Sequence, residues 1–461
     1  MVNTRPFHKE GAIDMSSRTQ SAQTATGDIS ALPNSAGPPH SAGKVAAAVR
    51  PLIAGILGPN APIDFEFWDG STLRTDRPVA TLKLRSPDAL RRLIWMPSEL
   101  GLGRAYIAGD LDVEGSLFDV VTALRDAKVP TGSAVWKLLP AAVSTARRVG
   151  ALGRPLDPPP EEARLKGWRH SVGRDARAVT HHYDVGNDFY RVVLGPSMTY
   201  SCARFTNADT TLDDAQAAKH ELVCRKLGLH ERREVRLLDV GCGWGSMAIH
   251  AAVHHDAQVV GITISPSQAD LARKRAAEAG VSDRVEIRLQ DYRLLQGEFD
   301  AISSVGMSEH VGHDKLDQYF GTLRSVLVPT GRLLNHAISS VGGSKLGRTS
   351  FVGRYVFPDG ELVDVGQTVL AMERAGFEIR DVESLREHYA RTLRGWVDNL
   401  EAGWDQAVEL VGEARAKVWR LYMSGSAIGF EDGGVAIHQV LGAVPTEGGD
   451  SGMPPTRIDW N

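Results

Sequence analysis

LLDVGCGWGSM, which runs from Leu237 to Met247, has the pattern of a buried strand, a tight turn and the start of a helix. Gly241, Gly243 and Gly245 let the backbone turn sharply because they carry no Cβ atom. For the same reason a ligand can come close to the N-terminus of the helix, where backbone N–H groups are free to donate. The segment therefore predicts a strand–turn–helix unit with a ligand site at its turn.

Strands and helices alternate on both sides of this turn. Apolar runs predict strands at 235–240, 258–265, 285–291, 299–306, 331–339 and 377–385. Helical periodicity predicts helices at 246–255 and 266–280, the second opened by Pro266. Apolar strands joined by helical crossovers imply a parallel sheet with helices on both faces. We therefore predict an α/β fold with a Rossmann-like, doubly wound sheet.

The rest of the chain divides into further predicted regions. They are a disordered tail at 1–43, a small mixed α+β N-terminal domain at 44–150, a Pro-rich linker with a basic segment at 151–179, the Rossmann-like domain at 180–442 and a C-terminal tail at 443–461. The first tail has too few large apolar groups to offset the entropy of ordering. Within the small domain, the glycines at 101–115 predict a turn region.

Composition excludes several classes of protein. Hydrophobic residues make up 42% of the 461 residues and the formal net charge is −4, so no general basic field favours nucleic-acid binding. Cys202, Cys224 and Cys242 form no CxxC pair and indicate a reducing compartment. No apolar run approaches the roughly 18 to 20 residues that span a bilayer. Since the N-terminus also lacks a secretory signal, we expect a cytoplasmic protein.

The spacing of the turn indicates its ligand. A dinucleotide-binding site requires the spacing G-x-G-x-x-G and an acidic residue about 20 positions further on, which binds the ribose. The glycines here have the spacing G-x-G-x-G, and residues 258–265 contain no acidic residue. A phosphate-binding P-loop needs G-K-[ST], which is absent. D-x-G-x-G-x-G, from Asp239 to Gly245, instead resembles the first motif of methyltransferases that bind S-adenosylmethionine. That resemblance implies that Asp239 lies near the methionine moiety and that Gly241, Gly243 and Gly245 line the cofactor.

Polar residues after the next two strands are further candidates for cofactor binding. Thr263, Ser265 and Gln268 stand where many such enzymes place an acid for the ribose, and their hydroxyl and amide groups can bond it without charge. Asp291 and Tyr292 follow the third strand, where the adenine would lie. For each of these residues a solvated loop is the alternative.

Six further motifs resemble one family more specifically. They are HHYDVGNDFY (181–190), SMTYSCARF (197–205), SVGMSEHVG (304–312), HAI (336–338), YVFPDG (355–360) and HYARTLRGW (388–396). In this order around the glycine turn they resemble the cyclopropane-fatty-acid synthases and mycolic acid cyclopropane synthases. The resemblance covers about residues 180–441. The small domain before it resembles the N-terminal extension of the longer members, which act on phospholipid acyl chains.

The resemblance implies a reaction and a pocket for it. Enzymes of this family transfer a methyl group from the sulfonium to a cis double bond of a lipid chain, with a buried bicarbonate as the base. The pocket positions carry over to Cys202, Glu309, His336, Ile338 and Tyr389. Cys202 is then a wall of an anion pocket and not a nucleophile. Tyr200, counted with the cofactor-binding residues, could also stabilise a carbocation through its π face.

Several alternatives stay open. Direct proton loss closes a cyclopropane, whereas a hydride shift before it gives a methylene branch that a separate reductase could convert to a methyl branch. The same pocket serves both. A small-molecule N- or O-methyltransferase is a second enzymatic alternative, although it has no evident use for the anion pocket. A lipid-binding protein that has lost catalysis is the alternative from another class.

The expected partner is an unsaturated phospholipid acyl chain, with peripheral contact at the inner face of the membrane. Residues 164–177, RLKGWRHSVGRDAR, hold five Lys or Arg against one Asp, with Trp168 among them. This segment is either an ordinary solvated face or a patch for anionic headgroups. Oligomeric state, a homodimer included, stays open. We expect no metal site, because Glu309 precedes both histidines of EHVGH and because His250 and His254 fall on a helix face expected to be solvated.

Overall fold

The computed structural model of the protein describes residues 43–58, 60–127, 133–163, 185–344, 347, 350–358 and 360–460. Its strands are β1 (Ile63–Phe67), β2 (Thr72–Leu73), β3 (Ala80–Leu84), β4 (Leu111–Gly115), β5 (Arg236–Val240), β6 (Gln258–Thr263), β7 (Val285–Leu289), β8 (Phe299–Val305), β9 (Leu327–Ser340), β10 (Val363–Asp364), β11 (Glu378–Ser384) and β12 (Val435–Ala443).

Helices connect and flank these strands. The α-helices are α1 (Lys44–Leu57), α2 (Pro87–Trp95), α3 (Glu99–Ile107), α4 (Leu117–Asp126), α5 (Ser133–Arg148), α6 (Asn187–Leu194), α7 (Leu212–Leu227), α8 (Ser246–His255), α9 (Pro266–Glu278), α10 (Ser308–Val311), α11 (Leu316–Ser325), α12 (Phe351–Tyr355), α13 (Val365–Arg374), α14 (Arg386–Ala402), α15 (Trp404–Val411) and α16 (Glu413–Glu431). Short 3₁₀ turns lie at Tyr292–Leu294, His313–Lys315 and Ile458–Trp460.

The large sheet has eight strands. Its hydrogen-bonded order is β7–β6–β5–β8–β9–β12–β11, and β10 pairs with β9 beside this path. The pairs from β7 to β9 are parallel, whereas β12 runs antiparallel to both β9 and β11. Because chain order reverses on either side of β5, a crevice opens beyond the carboxyl ends of β5, β6 and β8. The glycine turn that follows β5 lies at this reversal.

Each face of the sheet carries its own core, which confirms the doubly wound prediction. Along β5 the side chains alternate, so that Leu237 belongs to one core and Leu238 to the other. Helices α7, α8 and α9 cover the first face, and α11 and α13 cover the second. The strands and helices predicted around the turn are all present, including α8 at Ser246–His255 and the first-turn Pro266 of α9.

The N-terminal part of the chain contains a four-stranded sheet in the order β2–β1–β3–β4. The predicted turn region at 101–115 is wrong, because helix α3 and strand β4 occupy most of it. Gly101 and Gly103 lie inside α3 and do not form a turn. Gly103 permits close packing, because a Cβ atom there would lie 2.6 Å from the ring of Phe351. A glycine count detects backbone freedom but not the close contact that excludes a side chain.

Residues Ser41–Asn461 form one compact unit. Leu100 and Ile107 of α3 belong to the same apolar core as Trp419 of α16, so the two sheets are joined through helices. Near the C-terminus, Val444 and Trp460 are buried. The finer domain boundaries given above stay predictions.

Candidate active site

A cavity opens where the sheet topology predicts a ligand. Most of the predicted cofactor residues line this one cavity: Tyr200, Asp239, Gly241, Gly243, Thr263, Gln268, Asp291 and Tyr292. Gly245 and Ser265 are not among its lining residues. The carboxyl ends of β5, β6 and β7 thus bring Asp239, Thr263 and Asp291 to one cavity. Tyr200, which precedes these strands in the chain, also lines it.

Different local features explain why each of the three turn positions is occupied by glycine. All have positive φ angles, 74° at Gly241, 54° at Gly243 and 80° at Gly245, which L-residues with side chains rarely adopt. A Cβ atom on Gly241 would lie 2.5 Å from the side chain of Met307, and one on Gly245 would lie 3.2 Å from that of Ala272. A Cβ atom on Gly243 would meet nothing within 4 Å. Gly245 therefore allows α8 and α9 to pack, while Gly243 leaves space on the cavity side.

The polar residues after β6 form a local network. Thr263 donates from Oγ1 to Gln268 Oε1 at 2.9 Å, and both side chains are buried. Ser265 is the N-cap of α9, where its Oγ accepts from the backbone N–H of Gln268. Ser265 thus begins the helix, and Thr263 and Gln268 present polar atoms to the cavity.

Asp239 is a buried carboxylate at the end of β5. Its Oδ1 accepts from Ser303 Oγ at 2.7 Å, whereas Oδ2 has no partner among the residues that the structure describes. Burial raises the pKa of Asp239 to about 6, against the opposing effects of Ser303 and Lys219. A buried oxygen of this kind needs a donor, which a positively charged ligand group beside it would supply.

Lys219 is a cavity residue that the sequence analysis missed. It lies on α7, is 1% exposed and donates from Nζ to Ser201 Oγ at 3.0 Å. Burial lowers its pKa to about 8. Its spacing carried a signal, because Ala215, Lys219 and Leu222 follow one another at i, i+4 and i+7 on the buried face of a helix. A lysine on the buried face of a helix indicates a binding role, because an unpaired buried charge is costly.

Asp291 and Tyr292, which line the cavity after β7, each contact a neighbouring side chain. Burial alone would raise the pKa of Asp291, but the two hydrogen bonds from the Arg293 guanidinium, at 2.9 and 2.6 Å, lower it. The Tyr292 ring packs edge-on against that of Tyr319, with 4.9 Å between centroids. Both side chains are therefore fixed before any ligand arrives.

Glu309 lies on the short helix α10, between two residues that line the cavity, Met307 and His310. Its Oε1 accepts from the backbone N–H of Ile338 at 2.7 Å. Its buried Oε2 has no partner within the described part of the chain. Burial raises the pKa of Glu309 to about 7, so this carboxyl can hold a proton near neutral pH.

His336 and Ile338 are on β9, two positions apart. His336 Nδ1 lies 3.1 Å from Gln439 Nε2 of β12, and His336 Nε2 is buried with no partner in the described ranges. Burial lowers the pKa of His336 well below its usual value, so the imidazole is neutral. Gln439 is a second residue that the sequence analysis missed; its position opposite His336 depends on the β9–β12 register.

Cys202 and Tyr389 join this group through the backbone of Leu385. The Leu385 carbonyl lies 3.6 Å from Cys202 Sγ and accepts from the Tyr389 N–H at 3.0 Å. The Leu385 N–H donates to the carbonyl of Ile437, whose register partner is Ile338. Burial raises the pKa of the Cys202 thiol, which argues against a nucleophilic thiolate.

Comparison with known proteins shows the family of the chain. Residues 170–440 match the family described as mycolic acid cyclopropane synthetase. The chain belongs to this family. It is 42% identical, over 85% of its length and 93% of the relative's, to a probable fatty acid methyltransferase of Mycobacterium tuberculosis. It is 32% identical, over 80% of its length and 89% of the relative's, to the cyclopropane-fatty-acyl-phospholipid synthase of Escherichia coli strain K12.

The fold is also that of a solved cyclopropane synthase. A mycolic acid cyclopropane synthase crystallised with SAH and CTAB matches with a TM-score of 0.55 and 33% identity, over 58% of this chain and 97% of that one. The protein is therefore a methyltransferase that uses S-adenosylmethionine. The family match begins at residue 170, so the four-stranded N-terminal sheet lies outside it.

In this protein, aromatic rings form a wall around Tyr200, which lines the cavity. Tyr200 packs against Tyr190, Trp396 and Trp419 with centroid distances of 5.7, 5.1 and 5.9 Å. The Tyr200 and Tyr422 hydroxyl groups lie 3.2 Å apart. Such a wall excludes water and offers π faces, which suits an apolar substrate and a developing cation.

Two other predictions have different outcomes. The expected solvated face at His250 and His254 is wrong for His250, whose side chain is only 12% exposed, although His254 is exposed. The basic segment at 164–177 with Trp168 lies outside the described residues. In the part of the chain that is described, no helix is both long and apolar enough to cross a bilayer.

Proposed function

We propose that this enzyme methylates the cis double bond of unsaturated acyl chains esterified in phospholipids and closes a cyclopropane ring. The observation that carries the proposal is the pair formed by Glu309 and His336. Both lie beside the cofactor cavity, and each keeps one buried polar atom without a partner among the described residues. A small-molecule N- or O-methyltransferase would have no use for such a pair.

The cavity fits the amino-acid end of S-adenosylmethionine. Asp239 Oδ2 offers an acceptor for the α-ammonium group, and Lys219 Nζ offers a cation for the α-carboxylate. Both side chains line the same cavity, so the pair matches the zwitterion in charge. Thr263 and Gln268 are the proposed ribose contacts, and Asp291 and Tyr292 are the proposed adenine contacts.

The second group fits a small anion such as bicarbonate. Glu309 Oε2 and His336 Nε2 are buried polar atoms that need partners, and a bicarbonate ion offers both a donor and acceptors. Protonated Glu309 would donate to it, while Tyr389 would close the pocket and Cys202 and Ile338 would shape it. When bound, bicarbonate supplies a base of moderate strength in a site from which bulk water is excluded.

The residues of the chain then have defined roles. An alkene is a weak nucleophile, so the aromatic wall must hold it against the methyl group. Transfer forms a C–C bond, breaks the S–CH₃ bond and leaves S-adenosylhomocysteine with a carbocation on the chain. The rings of Tyr200 and its neighbours stabilise this cation. Glu309 and His336 fix the base so that one proton leaves the new methyl group and its C–H electrons close the ring.

The test uses purified protein with vesicles of dioleoyl phosphatidylglycerol and S-adenosylmethionine carrying a labelled methyl group. We expect one labelled carbon per modified chain by mass spectrometry. We expect Glu309→Gln to lower kcat by about 10²–10⁴-fold. Glu373→Gln, an exposed acid on α13, is the matched control. Folded protein that binds S-adenosylhomocysteine but labels no lipid would contradict the proposal and favour a lipid-binding protein.

The product is read by NMR from the same lipids. Cyclopropane ring protons support the proposal as stated. Vinylidene protons would assign the product to a methylene branch, for which a separate reductase would be needed to give a methyl branch. Both outcomes keep the methyl transfer and the pocket.

We also propose peripheral contact with the membrane, since the substrate chains are esterified in a bilayer. Flotation with anionic and with zwitterionic vesicles tests it, together with charge reversal in residues 164–177. Equal recovery with both vesicle types, in wild type and variant, would contradict a basic membrane patch. Sedimentation of the same samples determines whether the enzyme is a homodimer.

A further inference from the structure

A cluster of metal-ligand types lies outside the active site, between helices α7 and α8. Cys224 Sγ, on α7, and one ring nitrogen each of His250 and His255, on α8, all lie within 4.8 Å of one another. The three come from two helices and span 31 positions between Cys224 and His255, so the fold, not the local sequence, brings them together.

A fourth donor lies beside the two histidines of this group. Glu221 stands one helical turn before Cys224, and its Oε2 lies 2.9 Å from His255 Nε2 and 3.4 Å from His250 Nε2. Arg225 donates to the other oxygen, Oε1, at 2.7 Å. Oε2 is therefore the carboxylate atom that the two imidazole rings share.

The surroundings suit a structural metal ion. Cys224 is buried, and the side chains of His250 and His255 are 12% and 7% exposed. The Glu221 side chain is 34% exposed, which leaves a route from solvent. Tetrahedral zinc would place its donors roughly 3.3–3.7 Å apart. The Cys224, His250 and His255 donors, which lie within 4.8 Å of one another, would therefore need to approach by up to roughly 1 Å.

We infer that Glu221, Cys224, His250 and His255 form a zinc site that joins α7 to α8. One thiolate and one carboxylate neutralise the two charges of the ion, and two imidazoles complete four-coordination, the pattern of a closed structural site. The thiolate and imidazole ligands favour zinc over magnesium or calcium.

The zinc site would stabilise the packing of α7 against α8 near the cofactor cavity and would take no part in the reaction. Helix α8 begins directly after the glycine turn, and α7 carries Lys219. A metal ion between the two helices would hold the turn and Lys219 in fixed relation. Zinc release would therefore weaken S-adenosylhomocysteine binding through loss of order, although no ligand of the ion contacts the cofactor cavity.

The experiment measures metal content and metal spectra of the full chain. We expect about one zinc per chain after dialysis against metal-free buffer. Cobalt(II) in place of zinc should give a thiolate-to-metal charge-transfer band with tetrahedral d–d bands. Cys224→Ser should abolish the charge-transfer band, and His255→Gln should weaken zinc affinity by more than about tenfold.

His254→Gln is the matched control, because it removes an exposed imidazole whose ring lies 4.5 Å from that of His250. It should keep both the zinc and the spectrum. The inference is overturned if wild type takes up neither ion, or if cobalt binds without a thiolate band. If Cys224→Ser does not fold, the cobalt spectrum of the wild type and its zinc affinity, titrated against a chromophoric chelator, still test whether the site binds zinc through a thiolate. None of these readouts depends on lipid methylation, so they stand apart from the proposed function.

Discussion

At the scale of single residues, the site depends on charged groups that the fold has removed from water. Lys219 and Asp239 are 1% and 2% exposed, and Glu309 has one buried oxygen without a partner among the described residues. Their burial costs free energy, of which hydrogen bonds within the protein recover a part and the proposed ligand contacts would recover more. Such residues are set by function, and their effects on binding and stability can be separated.

Lys219→Met should weaken binding of S-adenosylhomocysteine by about 10–100-fold, because a buried hydrogen bond to a charged group contributes about 1.5–3 kcal/mol. Calorimetric titration measures the dissociation constant. Lys274→Met, at an exposed lysine of α9, is the control and should leave it unchanged. Equal affinities of both variants would exclude Lys219 as the carboxylate partner.

Glu309 should make the stability of the fold depend on pH. Its folded-state pKa is about 7 against an ordinary value of 4.5, so between these values the native state holds a proton that the unfolded state has lost. The free energy of unfolding must then fall as pH rises through this window, by at most about 1.4 kcal/mol per pH unit.

Glu309→Gln removes this contribution, since an amide does not titrate. Urea unfolding at about pH 5 and about pH 7 should show the variant gaining stability relative to wild type as pH rises. The Glu373→Gln control on α13 should show no such gain. A constant difference between wild type and Glu309→Gln would mean that Glu309 has an ordinary pKa.

At the scale of elements, the start of α9 contains both a helix cap and residues that line the cavity. Ser265 caps this helix and lies outside the cavity lining, whereas Thr263 and Gln268 line it. The same short segment therefore contains one residue that caps the helix and two that line the cavity.

Ser265→Ala should lower the free energy of unfolding by about 1 kcal/mol, because the N–H of Gln268 loses its acceptor. Binding of S-adenosylhomocysteine should change little. Ser265→Thr, which keeps a capping oxygen, is the control and should recover most of the stability. A large loss of affinity without loss of stability would instead make Ser265 a direct ligand contact.

At the scale of the whole molecule, a cluster of three charged residues joins the N-terminal sheet region to the methyltransferase part: Glu162 contacts Arg104 of α3 and Arg354 of α12. Glu162 accepts from the guanidinium of Arg104 at 2.8 and 2.9 Å, and Arg354 approaches it at 3.7 Å. The Glu162 side chain is only 4% exposed. Removing one member of such a group leaves a poorly solvated charge behind.

Glu162→Gln should therefore lower the free energy of unfolding by about 3 kcal/mol, as measured from the urea midpoint. Glu278→Gln, in an exposed pair with Lys274, is the control and should change it by less than about 0.5 kcal/mol. Equal effects of the two substitutions would show that Glu162 contributes no more than a surface pair.

The sequence by itself determined the doubly wound sheet and the glycine turn, because periodicity and turn chemistry are local properties. The cofactor class came from the resemblance of the D-x-G-x-G-x-G motif to those of known methyltransferases. The family resemblance also pointed to Glu309 and His336, and the structure finds one buried polar atom without a described partner on each. Only the tertiary structure revealed Lys219, Gln439 and the Cys224–His250–His255 cluster. Gln439 meets His336 through strand register, and the cluster forms through helix packing. Contacts of this kind depend on distances between elements, which no local pattern records.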